Sequence, residues 1–120
     1  MALGFIEVSG VTAALDCLDI MCKAAQVSLV TWERKLGGRL VTVVVQGDVS
    51  AVTAAVDAAV AGAIKRPCAH AVIANPHPET LRILAISAKR LEKTEQADKP
   101  APVKPVKAKQ AKPKPKQADK

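Results

Sequence analysis

Few residues here have types and spacing that could do chemistry. They are His70 and His77, the cysteines Cys17, Cys22 and Cys68, and the cation-flanked glycine pair of Lys35-Leu36-Gly37-Gly38-Arg39. A catalytic site needs titratable groups that converge on one point. His70 falls in a β-type run and His77 between two prolines, so a satisfied structural histidine is the ordinary reading of each. Cys17 and Cys22 are five apart on a predicted helix and do not share a face. Cys22 falls on the apolar stripe and reads as a small buried hydrophobe. Cys68 follows Pro67 at a predicted loop and is the thiol expected to be exposed. Three cysteines without a CxxC pair argue against a disulfide framework or a zinc knuckle. The sequence contains no nucleophile elbow, P-loop, dinucleotide loop or HExxH. "KLGGR" is too short for a phosphate cradle, and a strand rather than a helix follows it. We expect no enzyme, no cofactor and no metal.

The elements that must position these residues follow from periodicity. Leu3 to Val8 is a β-rich run, and Ser9 stands where a helix cap would. Val11, Leu15, Leu18 and Cys22 then recur at helical spacing beside a polar stripe of Thr12, Asp16, Asp19 and Lys23. Asp19 and Lys23 are four apart in the favourable order for an ion pair. Val27–Leu36 and Leu40–Gln46 return to β-formers, joined at the glycine pair in "WERKLGGRLVTVVV", which predicts a hairpin turn. Asp48 is placed to cap a second helix over 49–65, with Val52, Val56 and Val60 as one ridge and alanine at nearly every other position. A helix so coated lacks a wet face, and a domain this small struggles to bury it alone, so burial against other subunits is expected. Ala69–Asn75 predicts a last strand. In "NPHPE", Pro78 suits the first position of a third helix and Glu79 its positive end.

The order β-α-β-β-α-β-α predicts an α+β, ferredoxin-like split βαβ sandwich, an antiparallel sheet with two helices on one face. Charge divides the chain further. Residues 97–120 hold eight Lys and two Asp (8 − 2 = +6), whereas residues 1–96 hold ten Lys/Arg and nine Asp/Glu (10 − 9 = +1). The Lys/Pro/Ala composition after about residue 93 predicts a disordered tail over 93–120, leaving a folded domain of 1–92. The basic pI therefore belongs to the tail. With aromatics at 2%, a sheet face built to stack RNA bases is not expected. The N-terminus does not read as a signal peptide and no apolar run approaches a membrane span, so a soluble protein of a reducing compartment is expected.

Three stretches carry a resemblance: "GFIEVSGVTAALDCLDIMCKAAQV", "WERKLGGRLVTVVVQGDVSAVTAAVDA" and "AVIANPHPETLRIL". Together they resemble the hexamer-forming shell proteins of bacterial microcompartments, of the catabolic type that houses ethanolamine, propanediol or glycyl-radical pathways. The "KxGGxLVTVxVxGDVxAVxAA" pattern is the specific part. The resemblance implies a structural, non-enzymatic protein in a bacterial microcompartment of the cytoplasm. A cyclic homohexamer would form a flat tile, packing with other hexamers, trimers and pentamers of shell proteins around encapsulated enzymes, with no membrane and no specific nucleic acid as partner. It assigns Lys35, Leu36, Gly37, Gly38 and Arg39 to the lining of a central metabolite pore, and Lys23, Asn75 and His77 to the edge between hexamers. Relatives often carry Ser at the position of Gly38, a small residue at Arg39 and an arginine at Asn75. The alternative from another class is a small ferredoxin-like regulatory or nucleic-acid-binding module working through its basic tail.

Overall fold

The computed structural model describes residues 1–98. The chain order is β1 (Ala2–Val8), α1 (Val11–Ala24), β2 (Ser28–Lys35), a one-turn 3-10 segment (Leu36–Gly38), β3 (Leu40–Gly47), α2 (Val49–Gly62), β4 (Ala69–Ala74) and α3 (Pro78–Asp98). Four strands form one sheet in the order β2-β3-β1-β4, and every neighbouring pair is antiparallel. β1 and β2 thus run the same way with β3 between them. β3 and β4 do likewise around β1. These are two interleaved split βαβ units, the fold class expected from the sequence.

Alternation along β1 and β3 separates two faces. Ala2, Ile6, Val8, Val41, Val43 and Val45 point to one side and make the core with Ala13, Ala14, Cys17 and Met21 of α1 and Val52, Ala55, Val56 and Ala59 of α2. The core is aliphatic and small, so the helices must sit low on the sheet to fill it. Gly4 marks the closest approach. A Cβ there would meet Val52 Cγ1 at 2.8 Å, Val56 Cγ2 at 2.9 Å and Val45 Cγ2 at 3.2 Å.

The other face carries α3. Thr31, paired with Val44 on that face, is fully buried and bonded at 2.9 Å to the buried Ser87 hydroxyl of α3. Ser87 in turn donates to Glu33 Oε2, which also accepts from Arg90 Nη2 at 3.2 Å. Since the Ser87 proton goes to the carboxylate, Thr31 is the donor of the buried pair. The chain Thr31–Ser87–Glu33–Arg90 therefore fixes α3 to β2 with polar groups. Leu81, Ile83 and Ile86 of the same helix remain exposed.

Several local expectations are corrected. The buried stripe of α1 is Ala13, Ala14, Cys17 and Met21, while Leu15 and Cys22 are exposed. Apolar residues occupy more than one face of this helix, so spacing alone does not pick the buried one. Two thiols, Cys22 and Cys68, are thus exposed rather than Cys68 alone. Gly10, at φ 101°, takes the cap position expected for Ser9 and provides no side-chain bond. Asp48 does stand at the start of α2, but its backbone carbonyl rather than its carboxylate accepts, from Val52 N–H at 2.8 Å. α2 ends at Gly62, before Pro67, because the next turn is held otherwise: Asp16 Oδ2 accepts from Ile64 N–H at 2.9 Å. Within one chain α2 buries only the face of Val52, Ala55, Val56 and Ala59. α3 continues through 93–98, past the expected domain boundary at 92; the rest of the expected tail lies outside the described residues.

Gly4→Ala tests the close approach. Both opposing atoms belong to stiff, buried valines, so the substitution is expected to destabilise the protein by about 1–3 kcal/mol. A thermal melt matching the wild type would contradict this packing. Burial, and then the neighbouring Asp16 charge, pushes the Cys17 thiol up from its usual pKa. Peptide mapping after N-ethylmaleimide treatment should therefore find Cys17 unmodified until the protein is unfolded.

Candidate functional site

The two residue sets singled out by the sequence lie at opposite ends of the sheet. Strand direction makes this unavoidable. β2 runs from Ser28 to Lys35 and β3 returns from Leu40, so Leu36–Arg39 projects from one end. α1 runs back against β1 and delivers Lys23 in its last turn to the other end. β4 starts opposite Glu7 and finishes opposite Ala2, which brings Asn75 and His77 to that same second end. Asn75 N–H donates to Met1 O at 3.0 Å and ties this corner to the start of β1.

The connection is longer than a two-glycine hairpin: Lys35 pairs with Leu40, so four residues, Leu36–Arg39, make the turn. Three successive residues are left-handed: Leu36 at φ 52°, Gly37 at φ 68° and Gly38 at φ 91°. Glycine explains the second and third. Leu36 adopts a conformation that an L side chain seldom takes, and its side chain is 66% exposed. Arg39 closes the turn from the far side. Its backbone N–H donates to Leu36 O at 3.3 Å, and its Nε donates to the same oxygen at 3.2 Å. One guanidinium thus clasps the carbonyl of the strained residue. Arg34, one position before Lys35, lies over the Trp32 ring at 5.4 Å.

The edge set is built differently. Lys23 Nζ pairs with Asp19 Oδ2 at 2.8 Å, and both side chains are well exposed. The hydrogen bond that Lys23 donates to the Asp19 carboxylate, reinforced by the carboxylate's charge, raises the Lys23 pKa above its ordinary value. Asn75 is left-handed at φ 55°, a region asparagine tolerates better than most residues. His77 stands just before α3, and its Nδ1 accepts from Glu79 N–H at 3.0 Å. Its ring therefore caps α3, supporting the structural reading of this histidine. Glu79 is in the first turn and pairs with Arg82 at 3.0 Å.

These residues do not assemble a reaction centre. His70 is exposed in β4 opposite Ile6, near the turn end, whereas His77 is at the other. Glu7 lies on the opposite sheet face, bonded to Thr42 Oγ1 at 3.3 Å. Among the described residues no group of three or more His, Cys, Asp or Glu could hold a metal ion, and no helix is long and apolar enough to cross a membrane. The glycine pair and its flanking cations were legible from the sequence. The Leu36 conformation and the Arg39 clasp were not, because neither residue type signals a left-handed turn, and the Thr31–Ser87–Glu33–Arg90 chain was not, because it joins positions far apart in sequence.

Residues 2–76 match the BMC domain family. The chain is 48% identical over 85 residues to the bacterial microcompartment shell protein PduA of Citrobacter freundii, covering 69% of this chain and 90% of PduA. It is 41% identical over 90 residues to the carboxysome shell protein CcmK2 of Synechococcus elongatus, covering 72% and 87%. Among solved structures it resembles a microcompartment protein from Desulfitobacterium hafniense DCB, with a TM-score of 0.62 and 29% identity over 72% of this chain and 47% of that one.

Backbone geometry separates the two glycines. A Cβ on Gly37 meets nothing within 4 Å, whereas one on Gly38 would stand 3.3 Å from Val11 Cγ2. Gly37→Asn is expected to cost under about 1 kcal/mol, since asparagine accepts this φ, and Gly38→Asn about 1–3 kcal/mol. Equal melting temperatures for the two variants would contradict the assigned turn.

Proposed function

The chain belongs to the BMC domain family of bacterial microcompartment shell proteins, a structural and not a catalytic family, and from that premise we propose that it forms a cyclic homohexamer with a central aperture. Six copies place the Leu36–Arg39 turn around the axis and Lys23, Asn75 and His77 at the perimeter. The observation that carries this reading is the separation of those two sets to opposite ends of one rigid sheet. A ring needs an inner and an outer end, and each set occupies one.

Exposed apolar surface supports assembly. Val72 and Ile73 on the edge strand β4, Leu81, Ile83 and Ile86 on α3, and Leu15 and Ile64 all face outward in the single chain. An edge strand without covering charge and several exposed branched residues are the mark of surface that another copy buries. The alanine coat of α2 is consistent with close approach of a neighbour on its uncovered side.

At the perimeter, Lys23 projects from an exposed helix end toward the next tile, and His77 holds the corner by capping α3. Asn75, where relatives often carry arginine, leaves that corner without a long cation. This favours tiling together with other shell proteins over tiling alone. Partners are then other shell proteins and the encapsulated enzymes. The greater identity to PduA than to CcmK2 favours a compartment of catabolic type. The alternative of a nucleic-acid-binding module draws no support from the comparisons.

Native mass spectrometry of the full chain is expected to find hexamers, and monomers at micromolar concentration would sink the reading. Lys23→Ala is expected to keep the hexamer and reduce the extended sheets seen by electron microscopy. Sheets of undiminished extent would remove Lys23 from the edge.

A further inference from the structure

We propose that Arg39 is the specificity-determining residue of the aperture, and that it selects small anions bearing a carboxylate or phosphate group. This rests on the ring reading above, which places the turn at the axis.

Three observations lead there. First, the guanidinium is held and its outer edge is free. Nε is engaged by Leu36 O at 3.2 Å, and the backbone N–H of the same residue reaches that oxygen at 3.3 Å. Of the five N–H donors of an arginine this leaves the four on the terminal nitrogens. Those are the fork that matches the two oxygens of a carboxylate or phosphate. A side chain already held by one bond loses less freedom when it binds, so the fork is preorganised.

Second, among the described residues no group of opposite sign pairs with Lys35 or Arg39. Among the described residues the ion pairs are Lys23–Asp19, Arg82–Glu79 and Arg90–Glu33. The nearby Arg34 lies over the Trp32 ring. Lys35 and Arg39 are both exposed and both belong to none of those pairs. One such turn in water would bind an anion hardly at all. A ring of them repeats two cations per copy around one axis, and the summed field focuses there.

Third, Leu36 stands beside the fork with most of its side chain exposed. Its left-handed backbone turns the side chain outward at the tip, and an apolar lip next to a cation lowers the local dielectric and strengthens each contact. A lysine in place of Arg39 would supply charge without the fork and without the clasp.

The same geometry predicts a cost. Like charges around an axis repel, so the empty ring is under electrostatic stress that a bound anion relieves. Purified wild type, Arg39→Gln and Arg39→Lys are first checked for hexamers by native mass spectrometry. Each is then melted in rising inorganic phosphate, and separately in rising propionate, at constant ionic strength. The wild-type hexamer is expected to gain melting temperature with either anion. Arg39→Gln should melt higher than wild type without anion and lose about tenfold or more in apparent affinity, while Arg39→Lys keeps part of the response. Selenate soaked into wild-type crystals should give an anomalous peak on the ring axis that is missing from Arg39→Gln. A hexamer whose melting ignores both anions, or an Arg39→Gln hexamer that responds like the wild type, overturns the assignment. Absence of hexamers in the wild type is a separate result, and it overturns the ring itself.

Discussion

Strand direction is the constraint on which the rest depends. With β1 and β3 antiparallel at the centre of the sheet, every connection must emerge at one end or the other. The β2–β3 turn has one end, and the last turn of α1, the exit of β4 and the start of α3 share the opposite one. A single swap of strand order would mix the two sets. The domain is therefore polar along its strands before any side chain is considered, and a ring needs that polarity. What each end then does is a matter of local chemistry: a clasped left-handed turn at one, an ion pair and a histidine cap at the other.

The core that holds the sheet rigid is made of small parts. Alanine and valine make the buried face of α2, alanine with Cys17 and Met21 that of α1, and Gly4 lets α2 settle against the sheet. Such packing leaves several large apolar side chains of the helices and loops outside: Leu15, Ile64, Ile83 and Ile86 are exposed while Ala13, Ala14, Ala55 and Ala59 are buried. This inversion of size and burial is a cost for an isolated chain, and it makes sense where neighbours complete the burial.

It also marks where sequence reasoning succeeds and fails. The strands, the helices, the hairpin at Gly37–Gly38 and the first turn of α3 at Pro78 were legible, because periodicity and turn chemistry act locally. The face of α1 was not. The spacing of Leu15, Leu18 and Cys22 outweighs Ala13, Ala14 and Cys17 by hydrophobicity alone, yet the face turned to β1 and β3 is that of Ala13, Ala14, Cys17 and Met21. Thr31 and Ser87 look like surface residues in sequence and are buried because they bond each other across 56 positions. The reach of α3 beyond residue 92 was hidden by composition, since the Lys-rich stretch begins before the helix has ended. At the turn the glycines announced a reversal, but Leu36 gave no sign that it shares their left-handed backbone, nor Arg39 that it closes on the Leu36 carbonyl. The family resemblance could be read from "KLGGR" and its flanks, while the departure at Arg39 acquires meaning only from that contact.

In the proposed ring, one end of the sheet faces an axis and the other a perimeter. An electron cryomicroscopy reconstruction of the assembled full chain tests it most directly, through the radial positions of Leu36 and Lys23. A closed sixfold ring is expected, in which Leu36 and Arg39 lie nearest the axis and Lys23, Asn75 and His77 lie farthest from it. A ring with Lys23 toward the centre, or an assembly whose axis passes nowhere near the Leu36–Arg39 turn, would contradict it.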